Sequence, residues 1–396
     1  MHVLMISDVY FPRINGVSTS IQTFKQEFES QGHRVTLIAP EYPAPYPADK
    51  SIIRIPSWGV PLDPEDRMMR YRDIIARKSQ LQDMGFDLVH IHTPFVAHYA
   101  GEALARFLGI PAIITYHTLF EEYLYHYIPF LPKQLLRACA RRFSRSQCNQ
   151  ATAIVAPSSI IVDLLQGYGV QRSIQIIPTG IHCSRFENGD GIRFREKFGL
   201  TAERKLLLNV SRVAFEKNIG LLLEALQKIK SRIPEVCLVI AGEGPAKATY
   251  MEQASTLGLD DHILFVGYLD RSSELIDCYH SADLFVFSSK TETQGLVLLE
   301  AMATGTPLVS VAAMGTRDIL LGCAGARIVE DDADDFGEAL IDLLEDDTKR
   351  QQLAAAAMPS AREWDSTVMA SKMLEFYRQV LDDAQAAAAT AIANQQ

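Results

Sequence analysis

The sequence predicts an α/β protein made of two doubly wound, Rossmann-like domains that face each other across a cleft. Three observations lead there. The chain has 396 residues, which at roughly 150 residues per domain suits two to three domains. Short apolar runs rich in β-branched residues alternate with longer amphipathic stretches, the rhythm of β-α-β units around a parallel sheet. That rhythm restarts midway along the chain.

The first series of strands is expected at residues 3–7, 34–39, 87–92, 112–116 and 152–156. The second is expected at residues 205–210, 236–241, 263–266, 284–287 and 307–311, with helix-length segments such as residues 220–233 between them. Between the series, residues 177–186 and the Gly- and Asp-rich residues 188–191 have hinge composition, so the boundary falls at residues 180–200. The expected domains are residues 1–185 and residues 195–359, followed by a helix over residues 360–383 that could pack back on the first domain. Residues 384–396 are alanine-rich and expected to fray as a flexible tail. Ligands of such sheets bind beyond the carboxyl ends of the strands, so function should lie in the loops after them.

Composition narrows the class. Hydrophobic residues are 48% and charged residues 22% of the chain, enough apolar surface for sizeable cores and against global disorder. No uncharged apolar run approaches the ~18 residues of a membrane span, and Asp8 interrupts the place where a signal peptide needs its apolar core. The net charge of −10 is unevenly spread: residues 1–180 hold 17 Lys and Arg against 15 Asp and Glu, and the remainder 21 against 33. Residues 330–347 carry ten acids and no base, the pattern of a solvated face. The N-terminal half, at net +2, is free to meet an anionic surface. The six cysteines form no C-x-x-C pair or zinc spacing and are expected to be reduced thiols of a cytoplasmic protein.

Three segments carry chemistry. The first strand leads into Asn15-Gly16-Val-Ser-Thr-Ser ahead of a helical pattern, either a capped helix with a tight turn or a set of backbone N–H groups able to hold an anion. After residues 205–210, Arg212 and Lys217 sit just beyond a strand end. A planar fork and a point charge there suit a diphosphate, although surface carboxylates could equally pair with them. Glu292 and Glu300 bracket a strand–turn–helix junction at Gly295. Both acids can face the cleft while the N–H groups of Gly295, Leu296 and Val297 point at a phosphate, and a carboxylate can take paired hydrogen bonds from adjacent sugar hydroxyls. The first β-α turn lacks G-x-G-x-x-G, which argues against a dinucleotide-dependent oxidoreductase.

With Gly242-Glu-Gly-Pro245 and Val266-Gly-Tyr268 between the Arg-x4-Lys and Glu-x7-Glu segments, the chain resembles the large family of retaining glycosyltransferases with the GT-B fold, family four. The resemblance covers most of the length. It implies a donor diphosphate on Arg212 and Lys217, ribose hydroxyls on Glu300, hydroxyls of the transferred sugar on Glu292, and backbone N–H groups from Leu296 and Val297. The loops at Gly242 and Tyr268 would lie near the nucleobase or cleft wall. His117, in Thr115-Tyr-His-Thr118 after a strand, matches a family histidine near the sugar, where it could hydrogen-bond the sugar or handle a proton near the acceptor. The family reaction is metal-independent and retains anomeric configuration. No D-x-D metal loop is evident, no cofactor beyond the nucleotide-sugar substrate is implied, and no nucleic-acid partner is expected.

For the acceptor, Lys133, Arg137, Arg141 and Arg145 recur at steps of four, with Arg142 added and no acid nearby. They follow Tyr123, Tyr125, Tyr127, Phe130 and Leu131. A basic helical stripe beside aromatic anchors suits an anionic bilayer, and would otherwise be a solvated face. His92-Thr-Pro-Phe, Tyr116-His-Thr-Leu-Phe-Glu-Glu-Tyr-Leu and Thr291-Glu-Thr-Gln-Gly295 resemble the subgroup that glucosylates diacylglycerol, although Gln294 stands where many family members carry Phe. The expectation is a peripheral hexosyltransferase at the inner face of the cytoplasmic membrane, using UDP-glucose on a lipid such as diacylglycerol. Alternatives are GDP-mannose or a sulfonated (sulfoquinovosyl) sugar as donor, a soluble acceptor, a GT-B-like sugar-nucleotide epimerase, or a non-catalytic nucleotide-sugar binder.

Overall fold

The computed structural model describes residues 1–43, 46, 48–60, 63–117 and 133–393. The chain divides into two compact units, Met1–Gly180 with Ser366–Gln396, and Ile181–Asp365.

The first unit is built on a seven-stranded parallel sheet. Its strands are β1 (His2–Ile6), β2 (Arg34–Pro40), β3 (Ile52–Ile55), β6 (Leu88–Ile91), β7 (Ala112–Thr115), β8 (Ala153–Ala156) and β9 (Ile174–Ile176), in spatial order β3-β2-β1-β6-β7-β8-β9. A separate antiparallel hairpin, β4 (Ser57–Val60) and β5 (Asp63–Met69), follows β3. Both faces of the sheet are covered, so its central strands are apolar on both sides rather than alternating. Val3 and Met5 pack with Phe24 and Phe28 of α1 (Gly16–Ser30), while Leu4 and Ile6 pack with Ala100 and Leu104 of α2 (Val96–Leu108). Helix α3 (Lys133–Gln150) precedes β8.

The second unit holds a six-stranded parallel sheet in the order β12-β11-β10-β13-β14-β15. The strands are β10 (Lys205–Val210), β11 (Val236–Ala241), β12 (Ile263–Gly267), β13 (Leu284–Phe287), β14 (Leu308–Val311) and β15 (Ala326–Val329). Leu207 and Leu238 pack under Leu222, Leu226 and Ile229 of α4 (Ile219–Ile229). On the other face Leu206, Leu208 and Phe285 meet Leu298 and Met302 of α5 (Leu296–Ala303).

The last helix differs from its expected start at residue 360. A helix covers Asp347–Arg362, the chain turns, and α6 (Ser366–Ala393) begins afresh with Met369, Met373 and Tyr377 in the first unit's core beside Phe24 and Phe28. Helix α6 also runs through the alanine-rich stretch where fraying was expected, in keeping with alanine's top rank in helix propensity.

In each sheet the strand order reverses beside the first strand of the unit, between β1 and β6 and between β10 and β13. Such a reversal splays the following loops apart at the carboxyl ends and leaves a crevice for a ligand.

Candidate active site

In the second unit the chain leaves β10 through Ser211 and the exposed Arg212 into a 3₁₀ turn, Phe215–Lys217, closed by Asn218 at φ 55°. Lys217 Nζ donates to Glu292 Oε1 at 2.5 Å, and the two side chains are 18% and 20% exposed, sheltered but still reachable by solvent. Ser288 Oγ bonds the carbonyls of Lys217 and Asn218 at 3.2 and 2.9 Å. This stitches the loops after β10 and β13 together and sets the cation opposite the acid.

Two glycines allow the loops to approach this closely. A Cβ on Gly242, at φ 137°, would lie 2.0 Å from the Ser211 carbonyl oxygen. Gly242 N–H donates to Gly267 O at 2.8 Å, which leaves the neighbouring Tyr268 69% exposed at the end of β12. A Cβ on Gly315 would lie 2.0 Å from Thr293 O, and Gly315 N–H donates to Glu292 O at 2.9 Å, so the loop after β14 braces the one carrying Glu292.

Gly295, at φ 98°, starts α5 and offers no side chain to cap it. The partly buried Leu296 and Val297 therefore stand in a first turn whose N–H groups have no side-chain cap, the arrangement that favours an anion. One turn on, Glu300 is buried. Arg271 Nη2 donates to its Oε1 at 2.5 Å and the Tyr279 hydroxyl to its Oε2 at 2.8 Å. The Glu300 charge holds the Arg271 guanidinium above its ordinary pKa, and burial pushes the Tyr279 phenol well up. Each carboxylate oxygen keeps a lone pair for a further donor.

In the first unit, Gly16 is exposed at the start of α1, and a Cβ there would meet nothing within 4 Å. Asn15 Oδ1 already caps that helix by accepting from Ser18 N–H at 2.8 Å. At the strand-order reversal, Asp8 is buried after β1 and accepts from Thr93 Oγ1 at 2.8 Å and from Ala97 N–H at 3.1 Å. Desolvation there pushes its carboxyl up to about 6. His117, after β7, is partly buried, and its Nε2 lies 3.2 Å from Nδ1 of the buried His92. Burial depresses His117 to about 4 and His92 well below the usual imidazole range, so both are neutral at pH 7.

The structure thus groups Arg212, Lys217, Gly242, Tyr268, Glu292, Gly295, Leu296, Val297 and Glu300 at the carboxyl end of one sheet. Gly16 and His117 lie at the carboxyl end of the other. Sequence reasoning assigned no site role to Arg271, Tyr279, Asp8 or His92. Asp8 carried a usable signal, as an acid two residues beyond the apolar run 3–6, and His92 stood in the His92-Thr-Pro-Phe segment.

On α3, Arg137, Arg141, Arg142 and Arg145 are exposed, while Leu136, Ala140, Ser144 and Cys148 turn inward. The guanidinium carbon of Arg141 lies 5.6 Å from the Tyr168 ring centre. Tyr123, Tyr125, Tyr127, Phe130 and Leu131 lie outside the described residues. Among the described residues no helix is long and apolar enough to cross a membrane, and no group of three or more His, Cys, Asp or Glu is placed to hold a metal ion.

Two family models match the chain: "Glycosyl transferases group 1" over residues 191–358 and "Glycosyltransferase Family 4" over residues 14–185. An alpha-monoglucosyldiacylglycerol synthase of Streptococcus pneumoniae is 36% identical over 323 residues, covering 78% of this chain and 71% of that protein. The protein of the same name from Acholeplasma laidlawii is 30% identical over 323 residues, covering 78% and 80%. Among solved structures, a sucrose-phosphate synthase from Thermosynechococcus elongatus superposes with a TM-score of 0.78 at 21% identity, over 96% of this chain and 99% of that one.

Proposed function

The chain belongs to the family 4 glycosyltransferases of GT-B fold, and from that premise we propose that it transfers glucose from UDP-glucose to a diacylglycerol-type membrane lipid, with retention of configuration and without a metal ion. The second unit's strand-end loops take the nucleotide sugar. Arg212, Lys217 and the uncapped first turn of α5 meet the diphosphate, Glu300 the ribose hydroxyls and Glu292 the hydroxyls of the sugar.

The observation that carries this assignment is the pair of cation–carboxylate contacts at the carboxyl end of one sheet, Lys217 with Glu292 and Arg271 with Glu300. It sets a site for negative charge beside two acceptors for neighbouring hydroxyls. In the reaction the bond between the anomeric carbon and the diphosphate oxygen breaks, the acceptor hydroxyl oxygen bonds to that carbon, and the hydroxyl proton passes to the departing diphosphate. Fixed cations and oriented N–H groups stabilise the developing negative charge with no reorganisation at the moment of reaction. His117, depressed to about 4 by burial, is a weak base at neutral pH. Its role is to hydrogen-bond the sugar rather than to take a proton.

The lipid acceptor is supported by the printed activity of the two synthase relatives and by the exposed arginines of α3, which suit an anionic headgroup layer. The test is nucleotide release from UDP- and GDP-sugars, with and without anionic liposomes containing diacylglycerol, followed by mass analysis of the lipid. Release of UDP with a matching hexosyl-diacylglycerol is expected. Release that ignores liposomes moves the acceptor into solution, release from a GDP-sugar replaces the donor, and an altered nucleotide sugar with no acceptor product means epimerisation.

A further inference from the structure

We infer that His92 is a positioning residue for the transfer reaction: it holds the Nε2 edge of the His117 ring so that Nδ1 is the nitrogen presented to substrate, with the Tyr377–His90 pair as the fixed wall behind it. The inference rests on the assignment of His117 to the sugar.

The geometry begins at the far end of the chain. The Tyr377 hydroxyl, on α6, lies 2.5 Å from His90 Nδ1, and His90 Nε2 lies 2.6 Å from Thr115 Oγ1. Both nitrogens of His90 are occupied, and Tyr377 and His90 are fully buried, so this ring has one orientation. His92 packs on it with ring centres 4.1 Å apart. On its other side His92 stacks on His117, with ring centres 5.5 Å apart and planes 21° from parallel, and bonds it through Nδ1. With Nε2 of His117 so engaged, its remaining polar ring atom is Nδ1. That fixes the face of the imidazole a sugar hydroxyl can meet.

His92 is poorly explained as core filling. It is 1% exposed, and its Nε2 is buried with no hydrogen-bond partner among the described residues, a situation that costs ~1–3 kcal/mol. An apolar ring would fill the space without that cost. What a phenyl group lacks is a hydrogen-bonding atom at the Nδ1 position, where His117 is held.

The test uses kcat and KM for nucleotide release with lipid present, UDP affinity by calorimetry and the thermal midpoint. His117→Ala sets the reference and should lower kcat by at least ~100-fold. His92→Phe should lower kcat roughly 10- to 100-fold, as a misplaced positioning contact does, with donor KM and UDP affinity within about twofold of wild type. His92→Asn, whose side-chain amide places a polar atom where Nδ1 stood, should recover kcat to within roughly threefold. The double variant His92→Phe/His117→Ala should be no slower than His117→Ala. His92→Gln, whose amide reaches the Nε2 position instead, should behave as His92→Phe and takes its place if that variant fails to fold.

Wild-type kcat in both His92→Phe and His92→Gln, beside an inactive His117→Ala, overturns the inference and leaves the His117 assignment standing. Equal impairment of His92→Asn and His92→Phe also overturns it. A fully active His117→Ala removes the assignment of His117 and the inference with it.

Discussion

Glu292→Gln should separate nucleotide binding from transfer, because the carboxylate it removes holds Lys217 and, in the proposed site, meets the sugar. With no donor bound, Lys217 spends its charge on Glu292 at 2.5 Å. A diphosphate seated on Lys217 brings its negative charge to about 6 Å from that carboxylate, where two unit charges at an effective dielectric of ~20 repel by ~3 kcal/mol. Because both side chains are about a fifth exposed, solvent halves this to ~1.4 kcal/mol, or about tenfold in an equilibrium constant. Glu292→Gln should therefore bind UDP about tenfold more tightly than wild type, while kcat falls by at least ~100-fold because the sugar loses its charged acceptor. Calorimetric titration with UDP, repeated at two salt concentrations, measures the first effect, and nucleotide release measures the second. The gain should shrink as salt rises. Unchanged or weaker UDP binding would refute a diphosphate on Lys217 in competition with Glu292.

Asp8→Asn tests the buried acid of the first unit. Its folded pKa of about 6 lies above the ordinary 3.8, so the stability it contributes is full below pH ~3.8 and is lost as pH rises through 6; the cost of burying the ionised form reaches ~3 kcal/mol above that. The variant should therefore gain thermal stability relative to wild type between pH 4 and pH 7; a constant difference across that range would show that Asp8 does not titrate there. Gly242→Ala places a Cβ 2.0 Å from the Ser211 carbonyl oxygen and should cost at least ~3 kcal/mol while weakening UDP binding, since the loop carrying Arg212 must move; a wild-type melting curve would contradict the close approach. Reversing Arg137, Arg141 and Arg145 to Glu should abolish flotation with anionic liposomes without loss of UDP binding, and unchanged flotation would end the membrane role of α3.

The central strands were legible because burial on both faces writes them as unbroken apolar runs: residues 205–210, 236–241 and 284–287 coincide with β10, β11 and β13. The strands that escaped notice lie elsewhere. β3, β9 and β15 are sheet edges, and in β9 and β15 most residues are exposed or partly so, which removes the apolar signature. The hairpin strand β5 carries Asp63, Pro64, Glu65 and Asp66, all residue types depleted in strands, and among the described residues it pairs with β4 alone. Periodicity also gives no information about which sheet a helix covers. Nothing in the spacing of Met369, Met373 and Tyr377 announces Phe24 and Phe28 as their neighbours.

The legible part of the site consists of residues close in sequence whose chemistry a strand-end loop brings together: Arg212 with Lys217, and Glu292 with Glu300. What stayed hidden is what holds them. Glu300 is bonded by groups 29 and 21 residues away, and His90 by a hydroxyl 287 residues away. The two units solve the problem of placing polar groups at a sheet's end in different ways. In the second, cation and carboxylate neutralise one another, so an incoming diphosphate has to compete with Glu292 for Lys217. In the first, burial removes the charge from His90, His92 and His117. A neutral imidazole chain offers hydrogen-bonding atoms without adding charge to that end of the sheet. The division explains why spacing exposes the charged loops, whose charges lie a few residues apart, and marks His117 without its supports, since the links through His92 and His90 to Tyr377 come from packing across β6, β7 and α6.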